Sequence, residues 1–116
     1  MPDSDDEFIG RLMQYLREHQ TVWVEDCPDE KLRRRIEWGI ARARSHGFTW
    51  ERSLGKFVSL MFRWAPNFDQ HPAIAAVLLR TDVPSESRAD LLFDLSDAVW
   101  QEARTAYDPA GWKFPP

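Results

Sequence analysis

The sequence predicts an all-α fold, a single-domain bundle of four to five helices with short loops and an extended C-terminal tail. Three observations carry that expectation. Apolar residues recur at i, i+3, i+4 and i+7 along most of the chain. Proline and glycine punctuate the gaps between these runs. Only one short stretch, Thr21-Val22-Trp23-Val24, has the β-branched and aromatic character of a strand. A length of 116 residues fits one domain, with residues 1–107 as the bundle and 108–116 as the tail.

Ser4-Asp5-Asp6-Glu7 reads as a capping box, with Ser at the cap and Glu three residues on. The acids there complement the positive end of the helix dipole. Phe8, Ile9, Leu12, Tyr15, Leu16 and His19 follow at helical spacing and place a first helix at about 5–20. Residues 21–24 are then either a short extended connector or a frayed continuation of that helix. Asp26-Cys27-Pro28-Asp29-Glu30 starts a second helix, because proline suits a first turn where its missing N–H costs nothing. Leu32, Ile36, Ile40 and Ala43 form its buried stripe, and Gly47 after His46 marks its end. Thr49 is expected to cap a third helix whose Leu54, Phe57, Val58, Met61 and Phe62 make the clearest apolar stripe in the chain. Pro66 and Asn67 end it.

Asp69 or His71 is expected to cap a short apolar segment from Pro72 to Leu79, which Thr81-Asp82-Val83-Pro84-Ser85 breaks. A last helix is expected from about Ser87 to Tyr107. Its row Leu91, Leu92, Leu95, Ala98, Val99 and its row Phe93, Trp100, Tyr107 merge into an arc of more than half the circumference. That arc implies either a helix packed on two sides or a Phe93 row that meets a partner. In the tail the proline and glycine content excludes helix, and Trp112 and Phe114 either fold back onto the body or form a recognition segment. Gly39 and Gly55 lie inside predicted helices, each at a cost of up to about 1 kcal/mol relative to Ala, which points to close helix–helix contact.

Composition narrows the function classes. Six Trp and seven Phe are a heavy aromatic load, used either in the core or on a binding patch. The sole cysteine, Cys27, excludes an internal disulfide and a Cys-based zinc cluster, and a cytoplasmic location fits best. The acidic N-terminal residues do not read as a signal peptide, and no apolar run approaches the roughly 20 residues that span a bilayer. Net charge is −4, yet residues 31–44 hold six cations against Glu37, a local +5 that leaves −9 for the rest. Such a balance argues against general nucleic-acid binding.

No catalytic motif is present: there is no Gly-rich phosphate loop, no GxSxG and no HExxH. His19, His46 and His71 are far apart. Asp69-Gln70-His71 offers at most two metal ligands, and Cys27 has no local partner signature, so no catalytic residue, metal or cofactor is expected. Arg33-Arg34-Arg35 spans about 200° of a helix and cannot form one compact patch. Arg34, Arg35, Arg42 and neighbouring Lys31 can still line one side, as a solvated face, a contact for an acidic protein, or a nucleic-acid surface.

Three stretches carry a resemblance: Gly47-Phe48-Thr49-Trp50-Glu51-Arg52, then Phe57-Val58-Ser59-Leu60-Met61-Phe62, then Ala65-Pro66-Asn67-Phe68-Asp69-Gln70-His71-Pro72. Over about residues 36–95 the chain resembles small proteins encoded in bacterial type VI secretion cassettes, beside spike, spike-tip and effector-adaptor genes. It departs from that pattern at Ala65, where a glycine is expected before Pro66. The resemblance implies a protein-binding accessory or adaptor for an effector, or an immunity protein that neutralises a toxin, and it brings no catalytic residues. The residues expected to contact the partner protein are Arg34, Arg35, Arg42, Trp50, Trp64, Trp112 and Phe114.

Overall fold

The computed structural model of the chain describes residues 2–112, with side chains from Asp6 onward. Every regular element among them is helical. In order these are α1 (Pro2–His19), α2 (Thr21–Val24), α3 (Asp29–Ser45), α4 (Glu51–Arg63), α5 (Pro72–Leu78), α6 (Ser85–Phe93) and α7 (Asp97–Thr105), with 3-10 turns at Phe68–Gln70 and Pro109–Trp112. The all-α expectation holds, and the expected four to five helices become seven. Two of the additions come from short breaks in an apolar run, one of a single residue and one of three. Gln20, at φ −130° and ψ 39°, separates α2 from α1, so residues 21–24 are a helical turn of their own.

The other break splits the expected Ser87–Tyr107 helix at Asp94–Ser96. Ser96 takes an extended N-cap conformation and Asp97 supplies an acid to the new first turn. The two apolar rows thus run across two short helices, not one helix packed on two sides. Trp100 is buried, while Phe93 and Tyr107 remain about half exposed.

The centre of the fold is α3 against α4. Leu32, Ile36, Ile40 and Ala43 of α3 face Leu54, Phe57, Val58 and Met61 of α4, all within one continuous core that also takes in α1, Ile74, Leu92 and Trp100. The core is close-packed where the helices cross. A Cβ on Gly39 would stand 2.9 Å from Cγ2 of Val58 and 3.1 Å from Sδ of Met61. Gly55 is different, since a Cβ there would meet only Leu12 and Phe8 at 3.9 Å, an ordinary contact. The expected close approach is therefore present at Gly39 and not at Gly55. Gly55→Ala is accordingly expected to raise stability by up to about 1 kcal/mol in urea denaturation, because it removes only the entropic cost of a mid-helix glycine.

Several caps differ from expectation. Helix α1 begins at Pro2, so Ser4 lies inside it and not at its cap; the Ser4 side chain is outside the described residues. Trp50, not Thr49, is the N-cap of α4, with no side-chain hydrogen bond, because the buried Phe48 ring pins the preceding chain and delays the first helical residue. His71 caps α5 by accepting from the Ala73 N–H at 3.1 Å. Gly47 does end α3, at φ +92°, the left-handed region that a side chain enters only with strain.

The aromatic load is resolved into a file of rings crossing the molecule. Phe48 lies 5.8 Å from Phe57, Phe57 4.8 Å from Phe68, Phe68 5.4 Å from Trp100, and Trp100 stacks on Trp64 at 5.8 Å. The Arg104 guanidinium then sits between Trp64, at 4.2 Å, and the half-exposed Trp23, at 4.8 Å. Tilted and offset rings at these separations are the geometries that aromatic quadrupoles favour. The radius of gyration, 13.5 Å, matches the ~13 Å of a compact domain of this length. No helix among the described residues is long and apolar enough to cross a membrane.

Candidate functional site

Helix α3 carries six of the chain's fifteen Lys and Arg residues and divides them between an inner and an outer face. Inward, Arg42 is 8% exposed. Its Nε and Nη2 each donate to a carboxylate oxygen of Asp69 at 2.7 Å, a bidentate fork, and Nη1 donates to the Gly111 carbonyl at 3.3 Å. The second lone-pair position on Oδ2 of Asp69 accepts from Nε2 of His46 at 2.8 Å. Burial by itself pushes the Asp69 carboxyl up, but the hydrogen bonds from His46 and Arg42 and their attraction outweigh it and hold the group below its usual value. This cluster ties α3 to the Phe68–Gln70 turn and to the C-terminal segment. Arg42 is thus a strut inside the fold and not the exposed contact residue expected from the sequence.

Of the C-terminal segment, residues 108–112 fold back, as one of the two sequence readings had it for Trp112, and do so through a 3-10 turn; residues 113–116 lie outside the described residues. Asn67 holds it from below: its Nδ2 donates to the Ala106 carbonyl at 3.0 Å and its Oδ1 accepts from the Asp108 N–H at 2.9 Å. Gly111 lies so close to the Pro66–Asn67 backbone that a Cβ would stand 2.8 Å from the Pro66 carbonyl carbon. Trp112 is 5% exposed, its ring 4.6 Å from Phe62 on one side and 4.8 Å from the Arg35 guanidinium on the other. Its indole N–H donates to the Tyr107 hydroxyl at 3.1 Å. Trp112 is therefore a wall of a site and not a protruding anchor. Phe114 lies outside the described residues.

Between that wall and the start of α3 runs an open groove of about 490 Å³. Pro28, Trp38, Pro109 and Trp112 supply its apolar surface, and Lys31, Arg34 and Arg35 its cations, with Glu30 as the one acid lining it. One end is fixed by Arg17, which donates to the carbonyls of Val24 at 2.7 Å and Cys27 at 2.6 Å and to Asp29 at 2.7 Å, locking Pro28 and the first turn of α3. Arg34 makes only a long, exposed pair with Glu30 at 3.8 Å, worth little in water. Arg35 is held against Trp112, and neither it nor Lys31 pairs with a carboxylate among the described residues. Some cations elsewhere are paired, Arg33 with Asp6 and Glu37, Lys56 with Asp90 and Arg80 with Asp82, while Arg88 and Arg104 donate to backbone carbonyls instead.

A second groove, of about 500 Å³, opens along the outer side of α4. Trp64, half-buried in the ring file, lies in it with Leu12, Leu60 and Trp100, bordered by Arg52, Lys56 and Arg63 but also by Glu51 and Asp97. Its charges are mixed and partly self-paired, Lys56 with Asp90 and Glu51 with Arg11. Trp50, 63% exposed, stands apart at the N-terminus of α4.

Of the seven residues singled out in the sequence, three gather in one place: Arg34, Arg35 and Trp112. Sequence reasoning passed over Trp38, Pro28 and Pro109, which complete that groove. Trp38 was legible in principle, lying seven residues after Lys31 and three after Arg35 and so on one side of a helix with them. Pro109 was not, because only the folded-back turn brings it there. Among the described residues no three His, Cys, Asp or Glu side chains converge as a metal site, and His71 and Asp69, adjacent in the sequence motif, point to different partners, Glu102 and Arg42. Compared with family models, curated proteins and solved structures, the chain matches none of them.

Proposed function

We propose that this protein is a non-enzymatic, protein-binding accessory of a bacterial type VI secretion effector, acting in the cytoplasm of the producing cell through the α3 groove. One observation carries the binding part of this reading. The groove sets Lys31, Arg34 and Arg35 around an apolar floor in a chain that is otherwise strongly acidic. Uncompensated charge around a desolvated apolar centre is the pattern of a protein contact, where the charge orients and the apolar floor contributes affinity. The groove lining includes no His, Cys or Ser to act as base or nucleophile. The secretion part rests on the residue pattern from Gly47 to Pro72, whose Phe48, Phe57 and Phe68 build the ring file behind α3.

An immunity protein is the second reading, favoured by the same rim, in which three cations outnumber Glu30, since such charge accelerates association with a toxin. Tagged protein is expected to capture an effector, adaptor or spike protein of its own cassette in stoichiometric amount at moderate salt. Co-expression with the cassette's toxin separates the two roles: protection of the cell marks immunity, and increased secretion without protection marks an accessory. Recovery of no cassette protein contradicts both.

A further inference from the structure

We infer that the α3 groove takes a short acidic peptide segment, two or more carboxylates flanking one apolar side chain, presented by the partner protein. The inference rests on the groove being the contact surface and names the chemistry of what enters it.

The cations point to carboxylates. The Arg35 guanidinium lies over the Trp112 ring, its carbon 4.8 Å from the centroid, a cation–π contact that restrains the group at the groove wall. A guanidinium pre-oriented by an aromatic face loses little freedom on pairing bidentately with a carboxylate. Arg34 immediately precedes Arg35 and Lys31 lies one turn before it on α3, and both line the groove. The floor beside them, Trp38 with Pro28 and Pro109, is apolar and offers no side-chain donor or acceptor beyond the indole N–H. It suits an aliphatic or aromatic side chain and not a chain of charges.

Size sets the length. From Lys31 to Trp38 the helix advances about 10 Å, the span of about three residues of an extended peptide. A segment of that length places an apolar side chain on the floor and carboxylates opposite Arg35 and opposite Lys31 with Arg34. Nucleic acid fits less well. Outside residues 31–44 the chain carries −9, so a phosphodiester strand leaving the groove meets a repelling surface, whereas the acids of a short segment end with the groove.

The groove is also composite. One wall is Pro109 and Trp112, present only while Gly111 is docked on Pro66 and Asn67 and held by Arg42. A bundle with that turn displaced keeps the cations and loses the wall.

The test uses the full chain and a fluorescein-labelled peptide with two glutamates on each side of a central leucine, followed by polarization at low salt. Saturable binding is expected. It should weaken about tenfold or more with Lys31→Glu/Arg34→Glu, with glutamine in place of the four glutamates, and with serine in place of leucine. Arg52→Glu/Arg80→Glu, which makes the same charge change elsewhere, is expected to leave binding within about twofold. Three results overturn the inference: no saturable binding, equal binding of the glutamine or serine peptide, or tighter binding of a ten-nucleotide thymidine oligomer. Failure of the peptide while Lys31→Glu/Arg34→Glu still abolishes capture of a cassette protein removes the acidic-segment chemistry alone. Loss of both removes the proposed contact surface as well.

Discussion

Replacing Asp69 with alanine is expected to cost about 3–5 kcal/mol, because it strands the Arg42 guanidinium in a buried site. For a domain of this size that is a fall in Tm on the order of 10–25 °C. The loss comes from an uncompensated charge and not from a cavity, so a second substitution discriminates. Arg42→Met/Asp69→Leu removes both charges and keeps volume, and should recover most of the stability that Asp69→Ala loses. A double variant as unstable as the single one would contradict the ion-pair account. The same pair gives a pH dependence whose sign follows from the depressed Asp69 value. The folded carboxyl titrates below its usual 3.8, so the pair's contribution is fully present above about pH 4 and is lost as pH falls through the lower folded value. Urea midpoints measured from pH 6 downward should fall below pH 4 in the native chain and fall less steeply in the double variant.

Gly111→Val is expected to lift the C-terminal turn from the body at a cost of about 1–3 kcal/mol. The new side chain would meet the Pro66 carbonyl carbon and the Asn67 nitrogen at under 3 Å at its first atom. Both are backbone atoms beside the buried Phe68 and Asp69, and neither can step aside. The turn then leaves, the bond from Arg42 to the Gly111 carbonyl is lost, and Trp112 becomes accessible. The helices keep their own packing, so far-UV circular dichroism should be unchanged while acrylamide quenching of tryptophan fluorescence rises and the acidic peptide no longer binds. Unchanged quenching would show that the turn does not depend on Gly111 for its seat.

The helical stripes were legible because they depend on nearest neighbours in sequence. Leu32, Ile36, Ile40 and Ala43, and Leu54, Phe57, Val58 and Met61, are buried as their spacing requires. What was not legible depended on residues distant in the chain. Asp69 reads as a cap from its neighbours and becomes the partner of Arg42, 27 residues earlier, because the Phe68 plug turns it inward. Arg42 looks from its spacing like one more arginine on a basic face. Its burial is fixed by Asp69 and Gly111, which no local pattern connects to it. The break at Asp94–Ser96 was within reach: Asp, Ser and Asp in four residues are capping chemistry, and the apolar periodicity across them masked it. The groove was half legible. Three of its residues were chosen for charge and aromaticity, and its second wall exists only through a tail that the proline and glycine content predicted to be extended.

The central claim is that the outer face of α3 makes the contact that defines this protein's role. It is tested most directly by capturing partners side by side with three tagged chains at moderate salt: the native protein, Lys31→Glu/Arg34→Glu, and Arg52→Glu/Arg80→Glu. All four substituted side chains are exposed, so thermal stability should stay within about 0.5 kcal/mol of native in both variants. The account predicts one stoichiometric cassette protein with the native chain and with Arg52→Glu/Arg80→Glu, and its absence with Lys31→Glu/Arg34→Glu. Undiminished capture by Lys31→Glu/Arg34→Glu would contradict the account and move the contact to another face.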